Sequence, residues 1–521
     1  MGTKPPNILL IMFDQMSAQS LPCYGHAVVK APHLQGLAER GVVFENANCN
    51  SPLCSPSRFA MMTGQLPSRI GAYDNAAELN ASVPTFAHYL RALGYRTCLS
   101  GKMDFTGADQ LHGYEERLTT DLSPSDFGWT PTWDEPDRLH PWFHDLASVV
   151  DAGPYDHSLA MAYDEEATGQ AVRWLYERAA GTGERPFLLT VSFMHPHDPY
   201  LARREFWELY DDEAIDLPRV PAIAPAARDP HSRRLHAMYD RDEYAITEER
   251  IRRARRGYYG MISYIDAQLG RILAALEALG RRDDTVIVAT ADHGDMLGER
   301  GLWYKMTFFE RAVRVPLIIC ASALFGARRV AQGVSLLDLL PTLVDIAGSG
   351  ERSTLAAPID GTSLTSLAAG RNDGAPEAVY GEYLAEGTSQ PIFMIRRGVH
   401  KYVACAGDPP QLFDLAADPL ELNNLAGRAE QPALAAAFAQ EVARKWDSEA
   451  IRRQVIDSQR RRALIHDALL QGRVQPWDYA PAVDAARQYY RNLTDAPVAS
   501  ERASRVPSQT PAPRAGRAHR T

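Results

Sequence analysis

Asn7–Phe13 (NILLIMF) is an unbroken apolar run, and Asp14 and Gln15 follow it directly. A run of this kind predicts a strand buried on both faces, as in a parallel sheet covered by helices. Further strands are predicted at Tyr95–Ser100, Phe187–Phe193, Thr285–Thr290 and Val315–Cys320. Helical spacing lies between them at Thr85–Leu93 and Ile251–Leu279. This alternation predicts a doubly wound α/β sheet.

The 521 residues are enough for two or three domains. We predict a catalytic domain over residues 1–350. Beyond it the pattern changes to short strands at Ala378–Leu384, Ile392–Arg397 and Lys401–Ala404, which predict a smaller C-terminal α+β subdomain over residues 351–430. Residues 431–500 read as an extension, and residues 501–521 are poor in large apolar side chains, which predicts a disordered tail.

Composition excludes several classes of protein. Apolar residues make up 45% and charged residues 23%, which is ordinary for a soluble globular protein. The net charge of −10 argues against a nucleic-acid partner. Six cysteines without a CxxC pair do not suggest a disulfide framework. Without a recognisable signal segment or an apolar run long enough to span a bilayer, we expect a cytoplasmic enzyme with no membrane partner.

Polar residues follow four of the predicted strands. In open α/β sheets ligands bind beyond the carboxyl ends of the strands, so these tails are expected to meet, although each alone could be a turn or cap. The candidates are Asp14, Gln15, Lys102, Asp104, His195, His197, Asp292 and His293. Asp14, Gln15, Asp292 and His293 suit a hard divalent cation, with Ca²⁺ the first choice and Mg²⁺ or Mn²⁺ the alternatives. Lys102, His197 and Lys305 could bind the oxygens of an anion.

The segment Ser51–Gly64 (SPLCSPSRFAMMTG) is the most specific in the chain. Ser55 is predicted to cap a helix that has Pro56 in its first turn. Cys54 would then lie at a helix N-terminus, where the dipole is expected to lower the pKa of a thiol. Arg58, one turn on, adds a positive charge. The ordinary alternative is a structural cysteine before a helix.

Cys54-Ser-Pro-Ser-Arg58, with Thr63-Gly64 after it, resembles the CxPSR signature of type I sulfatases. The resemblance covers nearly the whole chain and implies an alkaline-phosphatase/sulfatase-like fold and a sulfuric ester hydrolase. It also implies that a formylglycine-generating enzyme oxidises Cys54 to formylglycine. One hydroxyl of the hydrated aldehyde attacks sulfur and releases the alcohol, and the second, once deprotonated, expels sulfate. A serine could perform only the first half.

The resemblance also assigns residues. Asp14, Gln15, Asp292 and His293 fall on the family's metal positions, with Gln15 where many sulfatases have an Asp. Lys102, His197 and Lys305 fall on its sulfate contacts, and Arg58 on the support of the formylglycine. Asp104 departs from the family's GK-x-H pattern, whose histidine is the base for sulfate release. We expect slower turnover, a different pH optimum or shifted selectivity from this change.

Longer segments resemble the choline-sulfatase branch of the family. They are residues 64–79, 110–121, 195–200, 292–310 and 381–402, with PWDYAP (476–481) and Tyr489–Asn492 resembling its C-terminal extension. The branch implies hydrolysis of choline O-sulfate to choline and sulfate, by a homo-oligomer, a dimer or tetramer, with residues 470–495 at the interface. A quaternary ammonium is held by aromatic faces and carboxylates. The candidates are Trp129 and Glu386, with Asn75, His144 and His195 as weaker ones.

Two other functions remain open. A phosphonate monoester or phosphodiester hydrolase could use the same formylglycine and metal. A catalytically impaired binder of choline esters is suggested by Asp104. The presence of Cys54, Arg58, Lys102 and all four metal positions favours an active enzyme over the binder.

Overall fold

A computed structural model describes residues 5–122, 126–180, 185–239, 244–348, 355–428 and 432–472 of the chain. The predicted C-terminal motifs at 476–481 and 489–492 lie outside these ranges, as does the predicted tail over 501–521. Most of the predicted interface segment, 470–495, lies outside them as well.

Strands account for most of the predicted apolar runs. They are β1 (Asn7–Phe13), β2 (Val42–Asn48), β3 (Arg96–Gly101), β4 (Glu116–Arg117), β5 (Gly153–Tyr155), β6 (Phe187–Ser192), β7 (Leu201–Arg203), β8 (Thr285–Ala291), β9 (Leu317–Cys320), β10 (Arg328–Ser335), β11 (Val379–Tyr383), β12 (Ile392–Arg397), β13 (His400–Cys405) and β14 (Gln411–Asp414).

The helices range from single turns to a helix of 31 residues. They are α1 (Pro32–Arg40), α2 (Cys54–Thr63), α3 (Pro67–Ile70), α4 (Phe86–Ala92), α5 (Ala147–Val150), α6 (Leu159–Ala180), α7 (Arg204–Trp207), α8 (Pro230–Met238), α9 (Glu248–Ala278), α10 (Glu310–Val313), α11 (Leu339–Ala347), α12 (Thr365–Ala368), α13 (Pro432–Lys445) and α14 (Ser448–Leu469). Over the described ranges, no helix combines the length and the apolar character that crossing a membrane requires.

The large sheet has eight strands in the order β10-β2-β9-β8-β1-β6-β3-β4. β1 pairs in parallel with β6 and β8, and β3 pairs in parallel with β6. β9 runs antiparallel to both of its neighbours, which makes the sheet mixed. The predicted doubly wound α/β fold is therefore confirmed. The apolar run of β1 is buried from Ile8 to Phe13 because it lies at the centre of the sheet.

The helices that pack on this sheet form two groups. α6 and α9 contact each other, and α1 contacts α9; α2, α4 and α11 contact one another in the second group. Both groups reach β3, through α6 and α4. A sheet covered by two such groups can bury every residue of its central strands, as the sequence of β8 (TVIVATA) requires.

A second sheet, β11-β12-β13-β14, is antiparallel throughout. α13 packs on it, with Phe438 stacked on Tyr402 at 5.5 Å between ring centroids. Buried ion pairs join this sheet to the large one: Lys401 on β13 contacts Glu310 at 3.0 Å and Glu421. The Lys401 ammonium also donates to the carbonyl of Phe308. This cluster therefore fixes the stretch of chain that follows Lys305.

Candidate active site

The carboxyl ends of four adjacent strands, β8, β1, β6 and β3, form the floor of the site. Asp292 follows β8, Asp14 follows β1 and Lys102 follows β3. Gly101 closes β3 with a φ of +107°, and a Cβ there would lie 1.8 Å from the carbonyl oxygen of Ser192. Glycine is thus required where β3 approaches β6, and this close approach positions the Lys102 backbone over the site.

Helix α2 begins at Cys54, and the residue before it, Leu53, contributes no side-chain cap. The prediction that Ser55 caps this helix is wrong. Ser55 lies inside the first turn, and its backbone N–H donates to Oδ1 of Asn75 at 3.0 Å. A side chain from a distant turn therefore caps the helix and holds Cys54 at its first position.

Arg58 lies fully buried under the strand ends and contacts all four of them. Its Nε donates to Oδ2 of Asp292 at 2.9 Å, and its Nη2 donates to Oδ2 of Asp14 at 3.1 Å. Its Nη1 donates to the carbonyl of Lys102 at 2.8 Å and to Oγ of Ser192 at 2.9 Å. Burial lowers the pKa of Arg58, but the neighbouring carboxylates outweigh it and raise the pKa.

Four buried side chains could hold a metal ion. Asp14, Cys54, Asp292 and His293 each offer one donor atom, and these atoms lie within 4.8 Å of one another. Nε2 of His293 lies 3.8 Å from Oδ1 of Asp14, 3.7 Å from Oδ1 of Asp292 and 3.3 Å from the Cys54 sulfur. Because Arg58 occupies the Oδ2 atoms, both Oδ1 atoms face this cluster. Burial lowers the pKa of His293, which leaves its imidazole neutral and able to bind a cation.

Gln15, the other predicted ligand, lies beside this cluster with its side chain engaged. Its Oε1 accepts from the Lys305 ammonium at 2.7 Å, and its Nε2 donates to Asp295 at 2.7 Å and to Asp198 at 3.2 Å. Its backbone N–H donates to Oδ1 of Asp292 at 2.9 Å. Metal binding by Gln15 stays a prediction, because a cation would have to replace Lys305 at its oxygen.

The predicted anion-binding side chains lie around the same point. The Lys102 ammonium is 2.5 Å from Oδ2 of Asp14, and the Lys305 ammonium is 2.8 Å from Nε2 of His197. Burial opposes both lysine charges. Asp104 and Asp14 nevertheless raise the pKa of Lys102 well above its usual value, and Cys54, followed by Asp198 and Asp14, raises the pKa of Lys305. Burial and Lys305 lower the pKa of His197 to about 3. The site therefore presents two ammonium groups and a neutral imidazole.

The Cys54 thiol behaves differently from the expectation. Burial, and then the charge of Asp14, raise the pKa of Cys54 to about 12, although it begins a helix. The dipole of a ten-residue helix is too weak to offset complete burial beside two carboxylates. At neutral pH the unmodified thiol is protonated, and a protonated thiol is a poor nucleophile.

Asp104 lies beside Lys102 and Arg58, and its backbone has a left-handed conformation with a φ of +61°. Its Oδ2 is 3.6 Å from Nε of Arg58 and 3.5 Å from the Lys102 ammonium. That oxygen is buried and accepts no hydrogen bond from the described residues. Burial raises the pKa of Asp104 to about 6, against the lowering effect of Lys102 and Arg58.

Glu386 provides a buried carboxylate within electrostatic reach of Lys305. It is 5% exposed, and its Oε2 accepts no hydrogen bond from the described residues. Burial, together with the charge of Asp74, raises the pKa of Glu386 to about 7, although Lys305 lowers it. Trp133 approaches this point from a distant part of the chain, because its indole N–H donates to the carbonyl of Ala385, the residue before Glu386, at 2.9 Å.

The other predicted substrate contacts have mixed positions. Trp129 is half-buried in a 3-10 turn that packs against α14, and Asn75 is engaged as the cap of α2. His144 lies at the site, 3.8 Å from Asp198. His195 is buried elsewhere: its Nδ1 contacts Oδ2 of Asp164 at 2.6 Å. For His195 these contacts indicate a structural role, and substrate binding by any of the four stays a prediction.

His144, His197 and Asp198 form a second group with metal-ligand spacing. Nδ1 of His197 donates to the carbonyl of Asp198 at 2.6 Å, and its Nε2 accepts from Lys305. A neutral imidazole used at both nitrogens has none to offer a cation. The ammonium of Lys305 also opposes a second positive ion there, so the group is better explained as a hydrogen-bonded wall of the site.

Sequence reasoning missed four residues of the site. Asp295 and Asp198 hold the amide of Gln15, and both lie in polar tails already singled out, so their position was a usable signal. Asp74 and Arg462 form a buried bidentate pair with distances of 2.6 and 2.7 Å. They are 388 residues apart, and no local pattern joins α14 to the turn that carries Asn75.

Comparison with known proteins assigns the chain. Residues 6–349 match the family model described as Sulfatase, and residues 298–447 match that of the N-sulphoglucosamine sulphohydrolase C-terminal region. The chain therefore belongs to the sulfatase family and is a sulfuric ester hydrolase. Within that family, residues 453–505 match the model described as the C-terminal region of the choline sulfatase enzyme.

Individual relatives agree with this assignment. The chain is 46% identical over 499 residues to the choline-sulfatase of Rhizobium meliloti (strain 1021), covering 94% of this chain and 97% of that protein. It is 30% identical to arylsulfatase K of Danio rerio, with 81% and 80% covered. Among solved structures, the phosphonate monoester hydrolase of Agrobacterium radiobacter has a TM-score of 0.67 at 26% identity, with 86% of this chain and 96% of that chain covered.

Proposed function

We propose that this enzyme hydrolyses choline O-sulfate to choline and sulfate. One observation carries the proposal: a cluster of cations and metal-ligand atoms surrounds Cys54, and the buried carboxylate of Glu386, whose Oε2 accepts no hydrogen bond from the described residues, lies within electrostatic reach of Lys305. Choline O-sulfate is a zwitterion whose sulfate matches the cationic cluster around Cys54 and whose quaternary ammonium matches the carboxylate of Glu386. The similarity to the Rhizobium meliloti choline-sulfatase supports the same substrate.

The donor set around Cys54 fits a divalent cation, because two carboxylate oxygens and a neutral imidazole converge there without another cation between them. We propose Asp14, Asp292 and His293 as the ligands, Gln15 as a further one, and Ca²⁺ as the ion, with Mg²⁺ or Mn²⁺ as alternatives. When bound, the ion would supply positive charge beside residue 54 and the ester.

Residue 54 is proposed to be formylglycine, made by a formylglycine-generating enzyme, because Cys54 begins the CxPSR signature of the family to which the chain belongs. Its raised pKa agrees with this proposal, since the unmodified thiol would be a poor nucleophile. The hydrated aldehyde supplies one hydroxyl to attack sulfur and a second whose deprotonation releases sulfate. Lys102 and Lys305 bind the ester oxygens as point charges. His197 is a neutral imidazole whose Nε2 holds the Lys305 ammonium in place. Asp104 lies beside Lys102 and Arg58, where it can accept a proton.

At the other end, Glu386 and Trp129 are proposed to hold the trimethylammonium, with Asn75 and His144 as further contacts; His195, held by Asp164, is left out of this proposal. A quaternary ammonium donates no ordinary hydrogen bond, so a carboxylate without a protein donor is the partner it can use. Each contact of the cation with an aromatic face is worth about 0.5–2 kcal/mol. Residues 470–495 are proposed to join copies of the chain into a dimer or tetramer. The cytoplasm stays the predicted location.

The pH dependence of cation binding should follow Glu386. With a pKa of about 7, this carboxyl is an anion above pH 7 and neutral below it. Between pH 8 and pH 6, kcat/KM for choline O-sulfate is expected to fall about tenfold relative to kcat/KM for 4-nitrophenyl sulfate, which has no cation. The charges of Asp74 and Lys305, which face Glu386, act on the sulfate group that both substrates share. The ratio of the two kcat/KM values therefore reports the effect of the Glu386 charge on the cation.

A Glu386→Gln variant is the matched control for that measurement. Its ratio of kcat/KM values should be low and independent of pH, because an amide does not titrate. A wild-type ratio that stays constant between pH 8 and pH 6 would show that Glu386 does not bind the cation.

The substrate itself is tested by a panel on enzyme isolated with residue 54 modified. The measurements are kcat/KM for choline O-sulfate, 4-nitrophenyl sulfate and a phosphonate monoester, together with the mass of the peptide that contains residue 54. Choline O-sulfate is expected to be the best substrate. Higher kcat/KM for the phosphonate would favour the second candidate, a phosphonate monoester hydrolase, to which the fold is also similar. An unmodified thiol without turnover of any ester would favour a choline-ester binder.

A further inference from the structure

Asp104 is a third carboxylate beside Arg58, and the guanidinium of Arg58 has hydrogen-bond acceptors without it. Asp14 and Asp292 already accept hydrogen bonds from the guanidinium, whereas Asp104 lies 3.6 Å from it and accepts none from the described residues through Oδ2. The side chain is nevertheless 2% exposed and held in a left-handed backbone conformation. A buried carboxylate without full partners costs free energy, so its position calls for an explanation beyond stability.

The charges around Cys54 show what Asp104 changes. Lys102, Lys305 and Arg58 provide three positive charges, and Asp14 and Asp292 provide two negative ones. Asp104 adds a third negative charge 3.5 Å from the Lys102 ammonium, one of the groups proposed to bind the ester. Among these six groups the charge is balanced with Asp104 and positive without it, and Asp198 and Asp295 add further negative charge at the Gln15 amide. Asp121, on the far side, is paired with Arg117 at 2.7 Å and does not alter this balance.

We propose that Asp104 makes this site selective for esters with one negative charge, and lowers activity towards phosphate monoesters, which carry two. The inference rests on the proposed function in assuming that the ester's acid group binds beside Lys102. A sulfate monoester and a phosphate monoester have almost the same shape, so charge is the property that can separate them. The energy of a carboxylate beside an anion grows with the anion's charge, and burial keeps water from screening it.

The test compares choline O-sulfate with phosphocholine, which share one alcohol and differ in the charge of the acid group. At pH 8 Asp104 is ionised and phosphocholine is a dianion. Asp104→Asn removes the charge while keeping the shape, and asparagine tolerates a positive φ. The ratio of kcat/KM for phosphocholine to kcat/KM for choline O-sulfate should rise about tenfold or more. Asp104→Glu, which keeps the charge, should leave the ratio near that of the wild type.

This ratio separates selectivity from the other roles of Asp104. Loss of a base needed for sulfate release affects kcat, but kcat/KM extends only to the first irreversible step, the departure of choline. Damage to the fold would lower both values together. If Asp104→Asn folds poorly, as measured by thermal unfolding, Asp104→His provides the second variant, at a pH where its imidazole is neutral.

An unchanged ratio in the neutral variants would overturn the inference. The same variants are also measured with 4-nitrophenyl sulfate and 4-nitrophenyl phosphate. If choline O-sulfate is not hydrolysed but the ratio for this second pair rises, the proposed substrate is wrong and the role of Asp104 stands. If choline O-sulfate is hydrolysed and neither ratio moves, the substrate stands and the role of Asp104 is wrong.

Discussion

Replacement of Cys54 by serine should abolish turnover of choline O-sulfate, with kcat falling by at least about 10⁴-fold. A serine hydroxyl can attack the sulfur, but it has no second hydroxyl on the same carbon with which to expel sulfate. We therefore expect at most one equivalent of choline per active site and a stable sulfated serine. The measurements are a rapid assay of choline release and the mass of the peptide that carries residue 54.

Cys405→Ser is the matched control, because Cys405 is a half-buried cysteine of the C-terminal sheet with no contact to the Cys54 cluster among those described. It should keep the turnover of the wild type. Sustained turnover by Cys54→Ser would contradict the proposed mechanism. So would sustained turnover by enzyme whose Cys54 remains a thiol.

The sequence predicted the central strands well because their signal is local. β1 and β8 are mostly apolar, and an aspartate follows each of them. A mostly apolar strand of a parallel sheet lies between two other strands, and the carboxyl ends of such strands meet at the same edge of the sheet. Strand direction was less accessible. The run at Val315–Cys320 yields β9, which begins only at Leu317, after Pro316, and runs antiparallel to β8. An apolar run does not indicate whether its strand pairs parallel or antiparallel with its neighbours.

The convergence of site residues was predictable to a similar degree. Asp14, Lys102, Asp292 and His293 were placed together by the rule that ligands bind at the carboxyl ends of strands, and the structure brings them together. The actual contacts of Gln15 were not predictable from that rule. They depend on the directions of Lys305 and Asp295, which lie in loops that no periodicity describes.

Burial explains why the Cys54 pKa was predicted in the wrong direction. A helix N-terminus is visible in the sequence, whereas complete burial beside Asp14 becomes visible only in the fold. The ion pair of Asp74 with Arg462 likewise becomes visible only in the fold, because it joins segments that are far apart in the sequence. Local signals gave the right residues here, and long-range packing determined their electrostatic state.

Replacement of Arg58 by methionine should destabilise the fold more than any other single loss of charge in the site. The change leaves Asp14, Asp292 and Asp104 buried without the guanidinium that all three face. Removing one partner of a buried ion pair costs about 3–5 kcal/mol. Hydrolysis should fall at least about a hundredfold, because Oδ2 of Asp292 loses its cationic partner and Oδ2 of Asp14 keeps only Lys102. Thermal unfolding and kcat/KM for choline O-sulfate are the two measurements.

Arg69→Met is the control, since Arg69 is 41% exposed and pairs with Asp360 at 2.8 Å; an exposed pair of this kind contributes about 0–1 kcal/mol. The metal dependence of the Arg58→Met variant distinguishes a charge effect from a packing defect. Because Asp292 would be left without a cationic partner and Asp14 would keep only Lys102, saturating Ca²⁺ should restore more thermal stability to this variant than it adds to the wild type. Equal stabilisation of the two proteins by Ca²⁺ would contradict the charge effect and would mean that the variant is destabilised by a packing defect, because methionine leaves the space of the guanidinium unfilled.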